Sequence, residues 1–390
     1  MACPSQATAR ARRKTGTLRF EIRDEFDGEV RAVIVTKKVI LRESSRKISR
    51  NISTRGFLSI LLLSFVIAFV ACSHDKEGSA AGVQAADPNP SADSTLPKLV
   101  LPPDSGPPPA IDSARAFQYI KEIVAFGPRP IGSADHKKVE DYILSRLKGD
   151  EVENDTFIAD TPEGKLPVHN IVAKFPGTKD GIIVIASHYD TNYPLRKTSF
   201  VGANDGGSSS ALLLEFANQL RGKPRDGYSI WLVWDDAEEG IKPDNEVPFL
   251  EDSLYGIRHL KDKWEADGTL KRIKALLLAD MVGDADLNIE HDSNSTPWLE
   301  DVAYEAATRV GYQSHFFART MAVDDDHIPF VKQGIACADF IDFDYGYHDV
   351  FWHTTEDTVD KLSPKSLEIV GVTMLETVRI LDKMDPLPPK

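Results

Sequence analysis

The stretch that decides the fold is residues 181–187, which read GIIVIAS and run directly into His188. A continuous apolar run of this length is typical of a strand buried on both faces, as in a parallel sheet covered by helices. Two more such runs, YSIWLVW at 228–234 and IKALLLA at 273–279, end directly before acidic residues. Together the three runs predict the centre of a parallel sheet.

Segments with the apolar spacing of helices separate and follow these strands. Helices are predicted from residue 113 and over 133–147, 208–220, 253–264, 298–310 and 363–384, with further strands at 170–175 and 335–341. Alternation of this kind predicts an α/β protein. We expect a single three-layer α/β/α domain over residues 111–390, with a mainly parallel central sheet. In such sheets ligands bind beyond the carboxyl ends of the strands.

The composition excludes several classes of protein. With 42% hydrophobic and 27% charged residues in a chain of 390, wholesale disorder, collagen and a polytopic membrane protein are ruled out. Three cysteines exclude a disulfide scaffold. Residues 1–55 are basic, and the net charge of −14 places the acidic excess in the rest of the chain. Nucleic acid is therefore not an expected partner, since binding phosphates needs a basic surface.

Residues 1–72 are interpreted as an N-terminal extension that ends in a signal peptide. The uncharged run at 57–71 has fifteen residues, too short for a helix to cross a hydrocarbon core of ~30 Å. Its end, Val70-Ala71-Cys72, is similar to a bacterial lipobox, in which Cys72 carries a lipid. The alternatives are a plain secretory signal or a single membrane anchor. We therefore expect an exported, membrane-anchored lipoprotein in the periplasm or at the cell surface, or otherwise a secreted protein.

Residues 73–110 are predicted to form a disordered linker. This segment holds eight Pro among Ser, Ala, Asp and Gly, and it has too little apolar surface to fold alone. Such a linker would hold the domain at 111–390 away from the membrane surface. Residues 1–50 are assigned no function.

Polar side chains lie where the predicted strands end. His188, Glu239 and Asp280 follow three successive strands, Asp205 precedes the helix at 208–220, and His353 follows the last strand by a loop. Imidazole and carboxylate ligands that converge from separate elements suit a divalent transition metal, zinc above all. Taken singly, each residue can also be explained without a metal; Asp205, for example, is placed to cap its helix.

The set predicts an open catalytic site rather than a closed structural one. A closed zinc site is normally built from thiolates, whereas Cys337 is the only cysteine of the predicted domain. Cys337 itself is expected to pack as a small apolar residue. The sequence has no GxSxG, HExxH or phosphate-binding loop, and no GxGxxG after a strand, which disfavours the competing chemistries.

These residues resemble the zinc exopeptidase superfamily, which contains the bacterial leucyl aminopeptidases and the glutaminyl cyclases. The resemblance runs from about residue 116 to the C-terminus and implies the phosphorylase/hydrolase-like α/β/α fold of zinc exopeptidases. In the aminopeptidases it implies two zinc ions, with Asp205 as the bridging ligand and Glu238 as the general base. The ligands implied for the two ions are His188, Asp205, Glu239, Asp280 and His353.

Several segments favour the cyclase branch of the superfamily. These are DSLYG at 252–256, DDHIPF at 325–330 and the Trp-His pair at 352–353. The cyclase resemblance implies one zinc, a hydrogen-bond network around the catalytic Glu238, and an aromatic wall for the substrate pocket. The implied zinc ligands are Asp205, Glu239 and His353, the implied network residues are Asp280 and Asp325, and the implied wall residue is Trp352.

Other segments are equally typical of the peptidases. DMVG at 280–283 and HTTED at 353–357 are of this kind, and Asp235-Asp236-Ala237 departs from the Asp-Gly that precedes the Glu pair in the cyclases. The resemblance therefore leaves three functions open. The main one is a glutaminyl-peptide cyclotransferase, the second is a two-zinc aminopeptidase, and the third is an inactive metal-dependent binding protein. In the first two, the partners are the N-termini of peptides or proteins.

Overall fold

The computed structural model describes residues 99–104, 106–243 and 245–388. The predicted extension, the signal peptide with Cys72 and the first part of the predicted linker lie outside the described residues. The described end of that linker has no helix or strand, and the carbonyl of Pro102 accepts a hydrogen bond from Arg309 at 2.5 Å. Within the described ranges, no helix is both long enough and apolar enough to cross a membrane.

Strands of the described residues form a six-stranded sheet, in the order β1-β2-β4-β3-β5-β8, and a separate pair, β6-β7. Their bounds are β1 Glu151–Thr161, β2 Gly164–Phe175, β3 Lys179–His188, β4 Tyr228–Asp235, β5 Ile273–Asp280, β6 Ile289–Asp292, β7 Phe316–Met321 and β8 Cys337–Ile341. The four neighbours β4, β3, β5 and β8 are parallel, whereas β1 and β2 are antiparallel at one edge. The prediction of a mainly parallel sheet is confirmed.

Helices cover both faces of this sheet. Their bounds in the described residues are α1 Ser113–Val124, α2 Ala134–Arg146, α3 Gly207–Leu220, α4 Tyr255–Asp267, α5 Pro297–Val310, α6 Ile328–Val331 and α7 Pro364–Leu381. Helices α1, α3, α5 and α7 share one apolar cluster with one face of the sheet, and α4 and α6 share a second cluster with the other. Ile183 packs in the first cluster and Val184 in the second, which explains why β3 is apolar throughout.

The hairpin of β1 and β2 is the main element that the sequence pattern does not predict. Strand β1 reads EVENDTFIADT, and most of its side chains are exposed or half-buried because it is an edge strand. Strand β2 starts at Gly164, before the predicted residue 170, since its first half pairs only with β1. Cys337 begins β8 and is buried in an apolar cluster, as expected.

The sheet register determines where the polar strand ends meet. His188 at the end of β3 pairs with Asp235 at the end of β4, and Asp280 at the end of β5 pairs with Ile341 of β8. Because these strands are parallel, their carboxyl ends share one edge of the sheet. Residues that follow the strands are thereby brought together at that edge.

Candidate metal centre and active site

All five residues predicted as metal ligands meet at this edge, in two sets that share Asp205. In one set, His188 Nε2 lies 3.2 Å from Asp205 Oδ1 and 3.2 Å from Asp280 Oδ1. In the other, His353 Nε2 lies 3.3 Å from Asp205 Oδ2 and 3.2 Å from Glu239 Oε2. Both sets have ligand atoms close enough together to hold a cation, and Asp205 presents one oxygen to each.

The position of Asp205 depends on the glycine that follows it. Gly206 is the N-cap of α3 and has a φ of +70°, and no side chain caps this helix, so Asp205 is free of the capping role. A Cβ at Gly206 would lie 2.8 Å from His188 Cε1 and 2.9 Å from the carbonyl of Asp190. Glycine is therefore needed both for the backbone conformation and for the close approach of His188.

A fully buried arginine, which the sequence pattern does not single out, holds the loop that carries Asp205. Arg129 donates from Nε to the carbonyl of Tyr189 at 2.6 Å, and from Nη2 to the carbonyls of Gly202 at 2.9 Å and Asp205 at 3.1 Å. It also donates to the carbonyl of Val201. Burial lowers the pKa of Arg129 to about 10, although nearby carboxylates such as Asp205 oppose the shift. The guanidinium thus fixes four carbonyls and remains a cation beside the site.

Asp357 holds the same loop from the other side. Its carboxylate accepts hydrogen bonds from the N–H groups of Asn204 at 2.8 Å and Asp205 at 3.2 Å, and from the hydroxyl of Tyr345 at 2.8 Å. Burial, together with the charge of Asp205, raises the pKa of Asp357 to about 7. The sequence pattern does not point to this role, because the loop that Asp357 holds lies about 150 residues away.

The turn after β4 carries the predicted base and a predicted ligand. The N–H of Glu238 donates to Asp190 at 3.2 Å, and the carboxylate of Glu239 accepts from the side-chain amide of Asn192 at 2.8 Å. Burial raises the pKa of Glu238 well above its usual range. His188 opposes this shift, and the neighbouring acids, Asp325 first, add to it.

A cavity of about 210 Å³ opens onto these residues. Its lining includes Asp205, Glu238, Glu239, Asp280, Asp325, Trp352 and His353, so each predicted catalytic and pocket residue reaches it. Trp352 stacks on His353 with ring centroids 4.1 Å apart, and Phe343 packs against Trp352 at 4.9 Å. Phe249 adds another aromatic wall, from the insertion between the Glu pair and α4. The sequence pattern does not single out Phe249 or Phe343, because nothing in either loop marks them as pocket residues.

The donor set fits a divalent cation. Asp205 Oδ2 and Glu239 Oε1 are buried oxygens that make no hydrogen bond, and His188 Nδ1 is likewise unsatisfied. Unpaired buried oxygens are costly, and a bound cation relieves that cost. Carboxylate oxygens and imidazole nitrogens are ligands that zinc accepts.

Comparison with known proteins agrees with this geometry. Residues 170–378 match peptidase family M28. The glutaminyl-peptide cyclotransferase of Drosophila melanogaster is 30% identical over 257 residues, which cover 59% of this chain and 70% of that protein. The crystal structure of Acidobacteriales bacterium glutaminyl cyclase is 47% identical with a TM-score of 0.69, and the match covers 73% of this chain and 99% of that one. A Zn-dependent exopeptidase from Parabacteroides distasonis is 27% identical with a TM-score of 0.63, covering 70% and 99%.

The fold and the site therefore define an α/β enzyme of the zinc exopeptidase type. More particularly, the chain belongs to peptidase family M28, and its relatives are glutaminyl cyclases and zinc-dependent exopeptidases. The superfamily, the enzyme type and the use of zinc predicted from the sequence agree with these relationships.

Replacing Arg129 tests its hold on the Asp205 loop. In Arg129→Lys the charge remains, but the planar fork that reaches four carbonyls is lost. We expect zinc to be held about 10- to 100-fold more weakly, as for other groups that orient metal ligands. Competition with a chelator measures this change. Arg196→Lys, at a half-buried arginine over Tyr193, is the control and should leave zinc retention unchanged. Wild-type retention in Arg129→Lys would contradict the assigned role.

Proposed function

We propose that this protein is a zinc-dependent glutaminyl-peptide cyclotransferase, which converts an N-terminal Gln to pyroglutamate and releases ammonia. The observation that carries the proposal is the arrangement of Glu238 in an aromatic-walled cavity directly beside Asp205, Glu239 and His353. The identity of 47% over nearly the whole Acidobacteriales bacterium glutaminyl cyclase supports this function over that of an exopeptidase.

We assign one zinc ion to the set Asp205, Glu239 and His353. When bound there, zinc supplies a Lewis acid toward the γ-carboxamide oxygen of the substrate. Trp352, stacked on His353, and Phe249 give the cavity walls that exclude water from the reacting groups.

Glu238 carries the proton transfers of the reaction. The α-amine attacks the γ-carboxamide carbon, so that a new C–N bond closes a five-membered lactam. Glu238 takes the proton that the amine loses and delivers it to the departing nitrogen, which leaves as ammonia when its bond to carbon breaks. Asp280 and Asp325 line the same cavity, and we assign them to the hydrogen-bond network around Glu238. Burial, with Asp280 adding to it, raises the pKa of Asp325 well above its usual range.

One observation favours a second candidate, a two-zinc aminopeptidase. His188, Asp205 and Asp280 form a second complete ligand set, with both distances from His188 Nε2 equal to 3.2 Å. In that enzyme, Glu238 would take the proton of an attacking water in place of that of the substrate amine. In the cyclase, the same contact of His188 with Asp280 is a hydrogen bond.

Glu238→Gln tests the base. The variant keeps the size of the side chain and the zinc ligands but cannot accept a proton, so turnover should fall by about 10²- to 10⁴-fold with zinc content unchanged. Release of ammonia from a peptide with N-terminal Gln measures the rate. The matched control is Glu246→Gln in the exposed part of the neighbouring loop, which should keep the wild-type rate. Near-wild-type turnover in Glu238→Gln would remove Glu238 from the mechanism.

The number of zinc ions per chain distinguishes the cyclase from the aminopeptidase. We expect one zinc per chain in the wild type and still one in His188→Ala, because Asp205, Glu239 and His353 remain. Asp280→Asn should lower the rate without lowering the metal content. Elemental analysis of the purified protein, beside assays with N-terminal Gln and Leu arylamide substrates, gives the answer. Two zinc ions that fall to one in His188→Ala, together with arylamide cleavage, would establish the aminopeptidase instead.

We further propose that the protein is exported and held at a membrane by a lipid on Cys72. The proposal rests on the apolar run at 57–71 and the Val70-Ala71-Cys72 sequence that ends it. Cys72→Ser should leave the precursor unprocessed or release the protein from the membrane fraction, as fractionation and analysis of the mature N-terminus would show. A variant that stays in the membrane with the wild-type N-terminus would overturn the lipid anchor.

A further inference from the structure

We propose that His136 positions the general base Glu238 by holding the carboxylate of Asp236, two residues before the base. This inference rests on the proposed function only in taking Glu238 as the base, a role it has in both candidate enzymes. His136 lies on α2, outside the cavity, and is a positioning residue rather than a catalytic one.

The turn that carries the base is strained. Ala237, between Asp236 and Glu238, has a φ of +59°, a conformation that favours glycine. Strained backbone of this kind persists only where the surroundings hold it in place. Contacts that fix residues 236 and 237 therefore decide where Glu238 points.

One side of the turn is fixed by α4. The carbonyls of residues 238, 237 and 236 accept hydrogen bonds from the N–H groups of residues 254, 255 and 256, at 2.8, 2.9 and 3.0 Å respectively. Gly256 permits this approach, because a Cβ there would lie 2.2 Å from the carbonyl oxygen of Asp236. These bonds restrain the backbone from the α4 side.

The other side is fixed by the side chain of Asp236, which is fully buried. His136 Nε2 lies 2.7 Å from Asp236 Oδ1, and the N–H of His169 donates to Asp236 Oδ2 at 2.8 Å. The first contact comes from α2 and the second from β2. Asp236 thus links the turn to two separate elements.

His136 is itself held in one orientation. Its Nδ1 lies 3.2 Å from Glu140 Oε1, one turn along α2, and its ring stacks on Tyr189 at 5.1 Å. The second oxygen of Glu140 lies 3.0 Å from His169 Nδ1. Burial lowers the pKa of His136, but Asp236 and Glu140 outweigh it and raise the pKa to about 10. A cationic imidazole between two carboxylates is a directional anchor.

Loss of this anchor should affect the base more than the zinc ligand beside it. Glu239 has its own restraint, the amide of Asn192 at 2.8 Å. The carboxylate of Glu238 lies 3.9 Å from its ion-pair partner, His188 Nδ1, and so depends on its backbone for position. Displacement of a reacting group by 1 Å costs on the order of 10²-fold in rate.

The test compares His136→Leu with His136→Gln. In His136→Leu we expect kcat to fall by about 10- to 10²-fold, with KM and zinc per chain within about twofold of the wild type. His136→Gln, whose amide N–H can reach Asp236, should recover part of the rate. Glu140→Gln, which removes the carboxylate charge next to His136 Nδ1, should lower kcat by a smaller factor than His136→Leu does.

Arg225→Leu is the matched control. It breaks an ion pair with Asp382 at the far end of the sheet, so it lowers thermal stability while kcat stays at the wild-type value. An unchanged kcat in His136→Leu, or a fall in kcat matched by an equal loss of zinc, would overturn the positioning role. The same loss of kcat in Arg225→Leu would overturn it as well.

Two further outcomes are decisive. If neither His136 variant folds, Glu140→Gln decides alone, and an unchanged kcat in that variant overturns the proposal. If the wild type cleaves Leu arylamides and releases no ammonia from N-terminal Gln, the proposed function fails. The His136 comparison then runs on the arylamide, since Glu238 is the base in either enzyme.

Discussion

Burial of carboxylates at the carboxyl edge of the parallel sheet is the constraint on which the rest of the structure depends. Asp190, Asp205, Asp235 and Glu239 are all buried there. A buried charge without a partner costs several kcal/mol, so the ionised carboxylates at this edge need cationic partners, whereas burial raises the pKa of Asp235 to about 7. These cationic partners come from the protein itself or from a bound metal.

The protein supplies these cations from elements remote in sequence. Arg129 comes from the loop between α1 and α2, His136 from α2, and His188 from the end of β3. Each of these side chains contacts more than one carboxylate or carbonyl group. Each therefore holds the local backbone in place and also offsets the cost of a buried carboxylate. The same contacts that offset desolvation thus also hold the loops that carry the candidate site residues.

The sequence predicts that the candidate metal ligands meet at one edge of the sheet, because strand ends are readable from apolar runs. His188 and Asp280 follow such runs directly, and parallel pairing brings them together. It does not predict the β1 edge strand, whose polar pattern resembles a loop. It also does not predict Arg129 or Asp357, because their partners are other segments' backbone groups, which leave no mark in the local sequence.

The two proposed functions differ in what lies between His188 and its two carboxylate neighbours. Its Nε2 faces Asp205 and Asp280 at equal distances of 3.2 Å, so the space between the three groups holds either a proton on the imidazole or a second metal ion. The two occupants exclude each other, because a protonated Nε2 has no lone pair for a metal. In the one-zinc cyclase, a proton on His188 Nε2 would be shared with these carboxylates, and Asp205, Glu239 and His353 would hold the zinc. In the two-zinc alternative, His188, Asp205 and Asp280 would hold the second ion, which would supply activation of a water molecule. The contacts of His188 with Asp205 and Asp280 are therefore the part of the site in which the two proposed enzymes would differ.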